Sequence, residues 1–232
     1  MKVGLVRFTQ DPEMVCALAA RLCYSSSSIN DILDKLTPNK VKKLLLKVIS
    51  SGHHSVLEHA SFTFVIENVS RALLAQLTRH RIASFSVQSQ RYIKFKRNSV
   101  KFIIPETIKK NKLLLAKYNN FLKNIKVLYS EFLDANIPSE DARYILPIAS
   151  ATKIVLTMNV RELRHFFSLR CCNKAQWEIR DMACRMLSFT KKKSSLLFAD
   201  AGPSCIRGEC REVSPCDKPW TVVDFSNSND DV

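Results

Sequence analysis

Gln76-Leu77-Thr78-Arg79-His80-Arg81-Ile82-Ala83-Ser84-Phe85-Ser86-Val87-Gln88-Ser89-Gln90-Arg91-Tyr92 is the stretch around which the rest of the chain is arranged. Three basic-capable residues, Arg79, His80 and Arg81, leave a helical pattern and enter a polar loop of three serines and two glutamines, closed by Arg91 and Tyr92. Arg79 and His80 follow Gln76 by three and four positions, so the three share one helix face. Leu73, Leu74 and Leu77 form a neighbouring apolar stripe. Hydroxyl, amide and backbone donors follow at short range. Such an array suits a phosphate or another multiply anionic ligand, because arginine offers planar paired donors that match phosphate oxygens.

Upstream, Ala60, Phe62, Phe64 and Ile66 alternate with polar or outward positions, which predicts a strand with one buried face. Before it lies Gly52-His53-His54-Ser55-Val56-Leu57-Glu58-His59, holding three of the chain's five histidines. His54 and His59 lack the helical spacing of a zinc pair and no cysteine is near, so no metal is expected. The loop either lines a substrate or cofactor, or its histidines hydrogen-bond at a strand entrance. Thr37-Pro38 starts a helix that keeps its period through Val41, Leu44, Leu45, Val48 and Ile49 until Gly52. Ser25 to Asn30 reads as a polar loop, Asp11-Pro12 as a helix start, and residues 2–8 as a first strand.

Downstream, Ile93 to Ile104 reads as extended, and Pro105 opens one long helix ending near Asn136 and Pro138. Ser139 to Ile145 is a short helix carrying Arg143, and Thr152 to Met158 is a strand. Residues 160–170 form a helix whose buried face holds Leu163, Phe166 and Phe167. Arg170, seven after Leu163, falls on that face, where an arginine needs a carboxylate partner or a ligand. Arg161 and His165 make another polar face. A last helix starts at Ala175-Gln176-Trp177-Glu178 and runs to about Lys192. The pattern gives an α/β (α+β) fold with one domain over 1–200 and a flexible, partly ordered tail over 201–232. Cys205, Cys210 and Cys216 in that tail are spaced by five and six, unlike a CxxC knuckle, and no metal is expected there either.

Composition bounds the function. The chain has 232 residues, 46% hydrophobic and 25% charged, as in ordinary globular proteins. No apolar run approaches the roughly 20 residues of a membrane span, and the N-terminus does not read as a signal peptide, so a cytoplasmic location without membrane attachment is the expectation. Eight cysteines are then most simply reduced thiols. The net charge of +15, from 36 basic against 21 acidic residues, attracts anions. Nucleic acid is the rival partner, but the lysines are scattered rather than gathered into a stripe, and no aromatic platform is interleaved with the basic stretch, so none is expected.

Arg79-His80-Arg81, seven further residues and Ser89 resemble the signature of the flavin-dependent thymidylate synthases. The likeness extends to Ser84, Arg91 and Tyr92, to Gly52-His53 with Glu58-His59, to Arg143, to Asn159 with Arg161, and to Leu169-Arg170 followed by Ala175-Gln176-Trp177-Glu178. These pieces stand in the family's order and spacing from about residue 1 to 195. The resemblance implies a mostly antiparallel sheet with packed helices, and a homotetramer whose active sites are shared between subunits. It implies reductive methylation of dUMP to dTMP, with 5,10-methylenetetrahydrofolate as carbon donor, FAD as hydride carrier and NADPH as reductant. A flavin enzyme of the same fold acting on uracil in another setting, such as RNA, is the closer alternative.

On that likeness, dUMP would meet Gln76, Leu77, Thr78, Arg79, Val87, Gln88, Ser89, Gln90, Arg91, Arg143 and Arg170. FAD would meet Ser55, Arg79, His80, Arg81, Val87, Asn159, Val160, Arg161 and His165, with His53 lining the flavin or folate face. Arg170 takes the catalytic role, a fixed cation beside the uracil N3 that stabilises the anionic ring. Ser89 is placed like a nucleophile but has no adjacent base, so it reads as a substrate contact. Some relatives carry Asn-Glu where this chain has Ser86-Val87, so only a backbone contact survives at Val87. With four glycines and no glycine-rich loop, FAD, if bound, would be held by side-chain cations.

Overall fold

A computed structural model describes residues 1–95, 99–208, 210 and 212–221. In chain order the elements are β1 (Lys2–Phe8), α1 (Pro12–Leu22), α2 (Ile29–Lys35), α3 (Pro38–Ser50), a 3-10 turn (His54–His59), β2 (Ser61–Ser70), α4 (Arg71–Leu77) and β3 (Ser84–Val87). Then follow α5 (Glu106–Lys109), α6 (Lys112–Asp134), α7 (Ser139–Ala142), a second 3-10 turn (Arg143–Ile145), β4 (Ala151–Asn159), α8 (Val160–Arg170), α9 (Trp177–Lys193) and a third 3-10 turn (Ser204–Arg207). Among the described residues four strands form one antiparallel sheet in the order β1-β2-β4-β3, the mixed α/β architecture expected. No described helix is long and apolar enough to cross a membrane.

The chain divides into two compact units. The first holds Met1–Lys2, Ile66–Arg79 and Phe85–Val155; the second holds Val3–Val65, His80–Ser84 and the described residues from Leu156 onward. The first packs around Val100, Tyr129 and Ala142, with Phe102, Phe132 and Leu133 against them. The second is built on aromatic edges. Phe62 meets Phe198 with centroids 5.5 Å apart, Phe167 meets Phe198 at 6.0 Å, and Phe166 meets Phe167 at 5.8 Å, separations favourable beyond the area they bury.

Period-two burial is clear in β4, where Thr152, Ile154, Leu156 and Met158 are buried while Lys153 and Val155 face out. β2 buries Phe62, Phe64 and Ile66 in the same way and extends to Ser70. The next helix therefore starts at Arg71, with Ser70 Oγ accepting the Leu73 N–H at 3.0 Å as an N-cap.

Three expectations need correction. Ser25 to Asn30 is not all loop: α2 starts at Ile29, capped by Ser28, whose Oγ accepts the Asp31 N–H at 3.2 Å. The single helix from Pro105 is two, because Asn111 leaves helical geometry and caps α6 by accepting the Leu114 N–H at 3.1 Å. Ser84 to Val87 is a strand within what reads as a polar loop. The described part of the tail belongs to the second unit, with Trp220 Nε1 donating to Asn173 Oδ1 at 2.9 Å. Cys172, Cys205, Cys210 and Cys216 line one cavity of about 350 Å³ there, and no three metal-ligating side chains among the described residues are arranged to hold an ion.

Candidate active site

In the first unit, α4 delivers Gln76, Leu77, Thr78 and Arg79 at its C-terminal end. Leu77 is wholly buried, Gln76 half-buried, and Arg79 exposed just past the helix. The Thr78 hydroxyl donates to the Leu74 carbonyl at 3.0 Å.

The segment after β3 is fixed by its own backbone. Gln88 N–H donates to the Lys153 carbonyl at 2.9 Å, and Ser89 Oγ accepts the Arg91 N–H at 3.1 Å. Ser89 thus caps a tight turn. Val87 is half-buried. Gln90 is buried, yet its Nε2 has no hydrogen-bond partner. Arg91 Nε donates to Glu140 Oε2 at 2.6 Å, and Arg143 Nε donates to the Glu140 carbonyl at 3.0 Å.

Sequence reasoning missed Arg71. Its Nη2 donates to the Gln88 carbonyl at 3.1 Å, while its Nε is buried without a partner. Burial and, after it, the nearby Arg143 charge push its pKa down. Two guanidiniums held close enough to repel, with an unfilled donor, are a place where an anion is favoured. As the first residue of a short helix behind a serine cap, Arg71 had no local signal beyond its charge.

In the second unit, α8 organises the other cluster. Asn159 caps it, its Oδ1 accepting the Glu162 N–H at 2.8 Å. Val160 is fully buried and donates its N–H to the Ala60 carbonyl at 2.9 Å. Arg161 is exposed and pairs with Glu58 at 2.5 Å; His165 and Arg81 are also exposed. His53 and Ser55 line a cavity of about 500 Å³ together with Arg21, Tyr24 and Lys47.

The buried arginine of α8 is not Arg170 but Arg164, 8% exposed, which ion-pairs with Asp200 at 2.8 Å and donates to the Leu197 carbonyl at 2.6 Å. Arg170 lies in the last turn and is half-buried. Its Nε donates to His80 Nε2 at 3.1 Å, and His80 Nδ1 stands 3.1 Å from Glu162 Oε1. His80 is buried, with its ring edge-on to Phe166 at 4.9 Å. Burial pushes the His80 pKa down, the Glu162 hydrogen bond opposes it, and the Arg170 charge lowers it further. The His80 ring is thus engaged within the protein, not presented outward like Arg79 and Arg81. Glu162 went unnoticed because an acidic residue in a first helical turn reads as an ordinary dipole partner.

Clusters of side-chain cations stand on an antiparallel α/β fold whose sequence holds no glycine-rich phosphate loop. A family profile described as "Thymidylate synthase complementing protein" matches residues 4–194. The chain is 48% identical over 212 residues to the flavin-dependent thymidylate synthase of Geobacter sulfurreducens, covering 91% of each. It is 46% identical over 224 residues to that of Pyrococcus horikoshii, covering 93% of this chain and 92% of the relative. Among solved structures, the flavin-dependent thymidylate synthase of Helicobacter pylori complexed with FAD and dUMP superposes with a TM-score of 0.69 at 29% identity, over 87% of this chain and 100% of that one. A UMP/dUMP methylase from Streptomyces cacaoi shares the fold at a TM-score of 0.75, with 23% identity over 85% of this chain and 93% of that one. The chain belongs to the flavin-dependent thymidylate synthase family, whose members methylate dUMP to dTMP.

Proposed function

We propose that this chain carries out this methylation with the residue roles that follow. The observation that carries the assignment is the gathering of Arg71, Arg91 and Arg143 about the Gln88–Arg91 segment, a cationic cradle with unfilled donors on Arg71 and Gln90. It takes the dUMP phosphate, with Gln76, Leu77, Thr78 and Arg79 at the end of α4 and the main chain of Val87, Gln88 and Ser89 adding contacts. Arg170 stands beside the uracil ring and stabilises the charge that develops there when the ring attacks the methylene group.

The donor set fits FAD. Arg79, Arg81 and Arg161 are exposed cations able to meet a pyrophosphate. Ser55, Val87, Asn159, Val160 and His165 supply the remaining contacts; Asn159 Oδ1 is committed to its cap, so its amide NH₂ is the donor left for a ligand. His80 takes part through its main chain, since its ring nitrogens are engaged. His53 lines the flavin or folate side. When bound, FAD carries hydride from NADPH to the pyrimidine, and 5,10-methylenetetrahydrofolate supplies the carbon. The Helicobacter pylori relative, solved with FAD and dUMP, supports both ligands.

The chain acts as a homotetramer. Leu114, Phe121 and Leu128, seven apart on α6, form one stripe and are 52%, 56% and 41% exposed. An apolar stripe of that length is best covered by another copy.

The test is the absorption spectrum of the purified protein, followed by NADPH oxidation with and without dUMP. Bound flavin and oxidation stimulated by dUMP are expected, with dTMP as product. A colourless protein that neither takes up FAD nor responds to dUMP overturns the reading. Arg170→Ala is expected to retain FAD and lose dTMP formation; turnover like wild type in that variant removes the assigned role.

A further inference from the structure

Arginine has donors and no acceptor, so the contact between Arg170 Nε and His80 Nε2 at 3.1 Å requires a lone pair on Nε2. In the neutral ring the proton then sits on Nδ1, where it points at Glu162 Oε1, 3.1 Å away. An ionised carboxylate only accepts, so Glu162 selects this tautomer over the other. His80 and Glu162 are 5% and 7% exposed, so solvent is poorly placed to replace either partner.

Glu162 is itself fixed. It lies in the first turn of α8, where the helix dipole favours a carboxylate, and its N–H is held by the Asn159 cap at 2.8 Å. Arg170 lies in the last turn of the same helix. The His80 ring, arriving from a distant segment, therefore bridges the two ends of one rigid element, with Phe166 edge-on at 4.9 Å limiting its tilt. Because a guanidinium is planar, anchoring its Nε–H sets the direction of its terminal nitrogens.

We propose that Glu162 is a positioning residue for the methylation: acting through His80, it fixes the direction in which Arg170 presents its guanidinium to the uracil ring. This rests on Arg170 working at the uracil ring, as assigned above. Without the carboxylate, the ring can carry its proton on Nε2, which sets donor against donor and turns the guanidinium away.

The experiment compares Glu162→Ala, Glu162→Gln and Arg170→Ala as FAD-loaded enzymes, reading kcat, the KM for dUMP and flavin content. Misplacement of a group by about 1 Å can cost on the order of 100-fold in rate, so Glu162→Ala is expected to lose about 10- to 100-fold in kcat. Its flavin content and dUMP KM should stay near wild type. Glu162→Gln keeps an oxygen that accepts the Nδ1 proton and should recover most of the rate. An unchanged kcat in Glu162→Ala, a loss shared equally by KM and flavin content, or no recovery in Glu162→Gln each overturns the proposal. Should Glu162→Ala fail to fold, the ¹⁵N shifts of His80 in the wild-type enzyme decide: the Nδ1–H tautomer at neutral pH is expected, and Nε2–H or imidazolium refutes it. An inactive Arg170→Ala beside an active Glu162→Ala sinks only the positioning role, whereas an active Arg170→Ala sinks the assignment beneath it.

Discussion

His80 sits between a carboxylate and a guanidinium, and its titration leaves a mark on stability. The ionisable groups facing it are Glu162, Arg170 and His165, and its pKa lies below the ordinary 6.5 chiefly because it is buried. Between that depressed value and 6.5 the unfolded chain binds a proton that the folded chain does not. Stability therefore rises with pH through this window and is lost as pH falls below about 6.5, by at most about 1.4 kcal/mol per pH unit for one proton. Calorimetric melting from neutral to mildly acidic pH should show the fall, and His80→Gln should flatten it. A profile as steep in that variant would assign the effect elsewhere. At this scale the sequence shows charge: Arg79, Arg81 and Arg170 stand out on their own pattern, while Arg143 enters only through the family likeness. Glu162 lies 82 residues from its partner His80, and a pairing across that distance leaves no local pattern.

Elements were legible in proportion to length. α1, α3, α8 and α9 show the helical period over eleven or more residues, β4 alternates over all nine of its residues, and β2 alternates from Ser61 to Glu67. α2 has seven residues with only Ile32 buried, and β3 has four, too few for either period to emerge from a polar background. The break before α6 was hidden because apolar residues continue on both sides, while the cap is a single side chain. Asn111→Ala should lower stability by about 1 kcal/mol and leave dTMP formation unchanged, as judged by urea unfolding beside the activity assay. No change in stability would mean that the cap contributes nothing to holding α6 in register. The arginine on the face of α8 was misjudged for a related reason. Periodicity places a residue on a face, but burial fades in the last turn, so Arg164 is enclosed and Arg170 reaches out half-covered.

For the whole molecule, a charge of +15 attracts anions, and four glycines leave no glycine-rich loop to cradle them. The family was legible from its ordered motifs, while the division into two units, whose boundary the chain crosses five times, once between Arg79 and His80, was not. Contacts between segments distant in sequence set that boundary, and composition hardly shifts across it. The exposed stripe Leu114, Phe121 and Leu128 belongs to this scale. Phe121→Glu places a charge in its middle and should shift the protein toward smaller species in sedimentation velocity; an unaltered assembly would place the contact elsewhere. If the stripe is where copies meet and their sites are completed together, activity per milligram is itself subject to mass action. It should fall as the enzyme is diluted, with a lag after each dilution, and return on reconcentration.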